Sequence, residues 1–131
     1  MTVERLNPEG LAPPSGFTHA VVARGTTVFL AGQTAQGPDG RIVGEDLPGQ
    51  FDRALANVLT ALTAAGGTPA DLVKLTLFCT DPAGYVDALR ELGAIWRTRV
   101  GRDYPAMTLV GVTRLFDPAA LVELDAIAVL P

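Results

Sequence analysis

Two hydrophobic periods alternate along this chain, and their order leaves few folds open. Phe51, Leu55, Val58, Leu59 and Leu62 recur at steps of four, three, one and three, which places them on one helix face. Asp46 and Pro48 suit the start of that helix, and Gly66-Gly67 its end. Over residues 72–80 the step shortens to two: Val73, Leu75, Leu77 and Cys79 alternate with Lys74, Thr76, Phe78 and Thr80, which predicts a strand. Asp81-Pro82 then opens a second helix, with Tyr85, Leu89, Leu92 and Trp96 as its apolar stripe and Gly101 at its end. Before this central unit, residues 19–23 and 27–31 are β-rich runs across Arg24-Gly25-Thr26, the pattern of a hairpin. After it, residues 106–112 and 121–129 read as two more strands, joined by a loop around Asp117-Pro118. Residues 1–16 carry three prolines, two glycines and no periodicity, so an irregular lead-in is expected there, and residues 32–44 read as a surface loop.

The order ββαβαββ predicts an α/β (α+β) fold, a mixed sheet with parallel crossovers and two helices on one face. At 131 residues the chain fits a single domain, 1–131. Each helix has one apolar stripe, so the far side of the sheet must meet water or another chain. In the last strand, Val122, Leu124, Ala126 and Ala128 face one way, and Glu123, Asp125, Ile127 and Val129 the other. Two carboxylates among β-branched aliphatics suit an interface with a polar site in it. Composition agrees: charged residues are 18% and hydrophobic ones 48%, against a usual charged share of about 25%. A small domain needs more polar surface than a large one. Either a bias toward alanine, glycine and arginine (nine Arg, one Lys) explains the deficit, or partner subunits cover part of the surface.

Several function classes are disfavoured. A net charge of −4 argues against nucleic acid as a partner. No apolar run approaches the ~20 residues that span a bilayer, and the N-terminus lacks a signal-like core, so a soluble, cytoplasmic protein without a membrane partner is expected. Cys79 and His19 are each the sole residue of their kind, too few for a disulfide or a Cys/His metal site. Ser15, the only serine, lies outside any GxSxG elbow.

Among the groups that could carry chemistry, Glu123 and Asp125 stand two apart on a strand, on one side and ~6–7 Å from each other. One of them could act as a general acid or base; a solvated or salt-bridged pair is the plainer alternative. Lys74, mid-strand, could form a Schiff base, but an ion pair across the sheet with Asp125 is expected instead. His19 reads as a packing or hydrogen-bonding residue, and Cys79 as inert core. Gly32, beside Gln33 at a strand end, could leave backbone N–H groups free for a carboxylate or carbonyl oxygen.

An ordered set of segments resembles the reactive intermediate deaminase (RidA/YjgF) family. It comprises GFTHAV at 16–21, VFLAGQT at 28–34, Gln50 with ALANV at 54–58, TAAGGTPADLVKLTLFCTD at 63–81, YPAM at 104–107 and LVELDAIAVLP at 121–131. The resemblance implies a chorismate-mutase-like subunit, assembled as a homotrimer whose sheets form a central barrel, with small-molecule clefts between subunits. It also implies hydrolysis of reactive enamines and imines without any cofactor. In that scheme an arginine grips the substrate carboxylate and a glutamate holds the attacking water.

Carried across, the glutamate is Glu123, the catalytic candidate. Phe17 stands where a cleft tyrosine is common, Ala31 where serine precedes GQ, and Leu89 where asparagine is frequent. The arginine of the family's Pro-Ala-Arg motif is Met107 here, followed by Thr108. Methionine supplies no bidentate donors, so the amino-acid-type deaminase site is not inherited. Phe17, Ala31, Gly32, Met107, Thr108 and Leu109 are the expected substrate-binding residues, an apolar cleft around one acid, and Arg114 is the candidate to replace the missing cation. Two functions stay open: an enzyme acting on an imine, enamine or enol without a free α-carboxylate, and a non-catalytic accessory or regulatory trimer that binds a small metabolite. Ribonuclease activity, ascribed to some relatives, has little support in an acidic chain with one histidine.

Overall fold

The computed structural model describes residues 3–131. Its elements run β1 (Val3–Leu6), β2 (Ala20–Ala23), β3 (Thr26–Gln33), α1 (Leu47–Ala64), β4 (Leu72–Cys79), α2 (Pro82–Asp87), α3 (Leu89–Arg99), β5 (Ala106–Gly111) and β6 (Val122–Leu130), with a 3-10 turn at Pro69–Asp71.

The ends of α1 follow from its flanking residues. The Asp46 carboxylate accepts from the Gly49 amide at 2.9 Å, satisfying a donor that the first turn leaves free. At the other end Gly66 takes φ +89°, and the amides of Gly66 and Gly67 donate back to the Thr63 and Leu62 carbonyls. That reciprocal closure needs a residue comfortable in the left-handed region.

Four strands form a mixed sheet in the order β3-β6-β4-β5. β6 lies antiparallel to β3 and β4, while β4 and β5 run parallel and are joined through α2 and α3. One face carries Leu75, Leu77, Cys79, Val122, Leu124, Ala126 and Ala128, and packs on Phe51, Leu55, Val58 and Leu62 of α1 and Leu92 and Trp96 of α3. The helices therefore cover one side, as the single stripes require. The cross-strand pairs Phe29↔Ile127, Thr76↔Asp125, Phe78↔Glu123 and Phe78↔Val110 fix what the other face presents. It is a mixture of aromatic, aliphatic and acidic groups, with Phe29 78% exposed.

Four expectations need correction. Residues 1–16 are not wholly irregular, since Val3–Leu6 is a strand (Met1 and Thr2 lie outside the described residues). It pairs antiparallel with β2, from Val3↔Ala23 to Leu6↔Ala20. The hairpin of β2 and β3 does not form: Gly25, at φ +141°, turns the chain between two sheets, and β3 pairs with the long C-terminal strand instead. The second helix is two, because Ala88 leaves helical geometry at φ −98°, ψ 7°, and its amide reaches both the Gly84 and Tyr85 carbonyls. Lys74 makes no ion pair with Asp125. Register places Lys74 opposite Ile127 and Asp125 opposite Thr76, and the ammonium donates to Thr108 Oγ1 of β5 at 3.0 Å.

Candidate functional site

The segment before β2 brings the first cleft residue into place. Thr18 is buried; its hydroxyl donates to the Tyr104 carbonyl at 2.7 Å and its amide to the Pro105 carbonyl. This fastens Phe17 beside the start of β5. His19 steadies the same segment: its ring packs edge-on against Phe17 at 4.8 Å, and Nε2 donates to the Ala12 carbonyl at 2.8 Å. A carbonyl only accepts, so that nitrogen carries the proton. The histidine holds the backbone, as its neighbours in sequence imply.

Between the β5 edge and α2 lies a cavity of about 290 Å³, lined by Phe17, Leu77, Tyr85, Met107, Thr108 and Leu109 among others. Four of the expected binding residues thus meet. A second chamber of about 380 Å³ shares Tyr85, Leu89 and Met107 and extends along α3 to Trp96, Arg97 and Tyr104. Trp96 and Tyr104 stack at 5.1 Å and 11°, and the indole N–H donates to the Asp103 carbonyl. Leu89, expected on the buried stripe, is 53% exposed, because the break at Ala88 leaves it over these chambers. Burial pushes the Tyr85 phenol up to about 12, so it stays a donor at neutral pH.

Glu123 stands elsewhere within the chain. It lies on the open face beside Phe78, whereas Met107 pairs with the core-facing Leu75 and points to the helix side. Two strand spacings, roughly 10 Å, and the thickness of the sheet separate β5's inner face from that carboxylate. Ala31 and Gly32 belong to the glutamate's side. A Cβ on Gly32 would collide with the Glu123 carboxylate, so glycine is what admits the acid there. A single copy therefore does not gather Phe17, Met107 and Glu123 into one place.

Arg114 does not compensate for Met107. Its guanidinium donates to the Leu115 and Phe116 carbonyls, at 3.1 and 3.0 Å, curled into its own loop. Sequence reasoning passed over Tyr85, Trp96, Arg97 and Tyr104 as cavity residues; the one available signal was Gly93, a glycine inside a helix where alanine would be better by about 1 kcal/mol. Among the described residues no three His, Cys, Asp or Glu side chains cluster as a metal site requires, and no helix is long and apolar enough to cross a membrane.

A mixed sheet under helices, with an edge cleft and an acid on its open face, is what the resemblance led one to expect, and comparison with known proteins identifies the family. Residues 8–130 match the family model described as Endoribonuclease L-PSP, and the chain belongs to that family, the RidA/YjgF proteins. It is 30% identical over 129 residues, covering 98% of both chains, to a RutC family protein of Pyrococcus abyssi. It is 32% identical over 105 residues, 80% of both chains, to the 2-iminobutanoate/2-iminopropanoate deaminase of Salmonella typhimurium. Among solved structures, the Rid-family protein YyfB of Yersinia pestis, described as of unknown function, superposes with a TM-score of 0.87 at 37% identity, over 99% of this chain and 100% of that one.

Proposed function

We propose that the chain works as a cytoplasmic homotrimer, open sheet faces gathered round a central barrel, and that its intersubunit cleft hydrolyses an imine or enamine without a cofactor. The observation that carries this reading is the seat of Glu123. Its carboxylate rests over Gly32 on a face that also bears Phe29, Phe78 and Ile127, and it forms no ion pair among the described residues. An acid covered in such a setting is costly to keep without a use. Assembly supplies the use by bringing one copy's glutamate to a neighbour's Phe17–Met107 cleft. A deaminase among the relatives supports the reaction class.

Glu123 holds a water and takes its proton as the oxygen bonds to the C=N carbon, whose π pair moves to nitrogen. The carboxylic acid then returns the proton to nitrogen. Glu123 then takes the hydroxyl proton and passes it to nitrogen, so that as the carbon–nitrogen bond breaks ammonia leaves and the carbonyl forms. Met107 gives the reacting end an apolar wall rather than a guanidinium, so the substrate is something other than a simple 2-amino acid derivative. Glu123→Gln should abolish turnover across a panel of imines while light scattering still finds three copies together. Unchanged rates would remove the glutamate from the chemistry. A wild-type protein that binds ligands but turns over no imine would instead be an accessory trimer.

A further inference from the structure

We infer that Arg97 forms an anion-binding subsite at the α3 end of the larger chamber, selecting ligands with an apolar or aromatic body and a carboxylate remote from the reacting carbon. The inference takes the small-molecule cleft from the function proposed above, but not its chemistry. Among the described residues Arg97 is the only cation lining this chamber, and no acid lines it. The walls beside it are Trp96, Tyr104, Phe51 and Met107. The nearby acids Asp52 and Glu91 are engaged or turned away. Arg99 is bonded to Asp52, and Glu91 and Asp52 line a separate groove on the outer side of the two helices. Arg97 pairs with no carboxylate among the described residues.

Gly93 marks where the guanidinium lies. One turn before Arg97, it has no side chain, and Nη1 lies 3.4 Å from where a Cβ would stand. The arginine therefore folds back along its own helix, with its planar fork at the mouth of an aromatic chamber. Such a fork matches a carboxylate with two parallel N–H donors. Tyr85, which keeps its proton at neutral pH, lines the same chamber and offers a further donor. Because Met107 lies between Arg97 and the Phe17 cleft, an acid held here cannot be the α-carboxylate of a small imino acid.

Trp96, the only tryptophan, lines the chamber and reports its occupancy by fluorescence. The probes are 3-phenylpropionate and its uncharged amide, titrated into the full-length protein. The carboxylate should quench saturably and bind at least about ten-fold more tightly than the amide, the difference expected for one charge-assisted pair. Arg97→Met should weaken the carboxylate by about ten-fold and leave the amide unchanged, and Arg97→Lys should recover part of the loss. Arg97 is exposed, so these variants are expected to fold. No saturable quenching, equal affinity for both probes, or full carboxylate affinity in Arg97→Met would overturn the subsite. The readout is binding without turnover: a protein that hydrolyses no imine can pass it, and one that does can fail it.

Discussion

On the proposed function, Met107 is where a single side chain would change what the molecule can accept. It lines both chambers, and a guanidinium there would face a ligand that now meets only a thioether. Met107→Arg should raise kcat/KM on 2-aminoacrylate by about ten-fold or more from a weak wild-type value; no gain would mean that this position does not meet the substrate's acid group. Tyr85 and Cys79 give a different handle. Burial raises both, the phenol from 10.0 to about 12. Each group binds its proton more tightly folded than unfolded. The stability they contribute is therefore whole below the unfolded values and drains away as pH rises. Urea midpoints should fall between about pH 10 and pH 12, and Tyr85→Phe should remove about 2 kcal/mol of that loss. An equal fall in the variant would place the titration elsewhere. The face that Glu123 occupies was legible from strand alternation, because a period of two assigns every side chain to a face, whereas its choice over Asp125 came from the family resemblance. Lys74 was misassigned because a bulge between Leu72 and Lys74 shifts the pairing, and alternation does not encode register.

At the scale of elements, local chemistry was readable and distant pairing was not. Asp46, Pro48 and Gly66-Gly67 mark α1 as the structure has it, since caps satisfy backbone groups within a few residues. β1 escaped notice because its four residues precede a proline-rich stretch and their partner lies far along the chain. The hairpin failed for a related reason. Two adjacent strands pair only if nothing better competes, and β6 offered β3 a longer partner. Two glycines should respond with opposite sign. Gly66→Ala meets nothing closer than a Leu130 methyl at 3.9 Å, so its cost is the left-handed backbone, about 1 kcal/mol. Gly93→Ala sits in the middle of α3 without a positive φ and should stabilise by about 0.5–1 kcal/mol. Thermal melts of both variants decide the matter, and a loss in Gly93→Ala would show that the Arg97 guanidinium above it does not give way to a methyl.

For the whole molecule, the layer architecture and the low charge share were readable in outline: helices on one face and a second face with mixed chemistry. The site was less so, because alternation places Glu123 and Met107 on opposite sides of one sheet, and a single chain cannot bring them together. Three copies can. On the open face Phe29, 78% exposed, is the large apolar side chain whose exposure calls for a neighbour. Phe29→Glu should convert the assembly to single chains in light scattering, with the far-ultraviolet circular dichroism of the fold retained; a variant that still assembles would put the contact elsewhere. The irregularity in β3 matters to such a stranded copy. Because the ladder to β6 is interrupted between Leu30 and Gln33, the β3 rim offers a stray polypeptide no long straight template to extend. Orphaned protomers would clump through their greasy side sooner than seed fibrils from that rim.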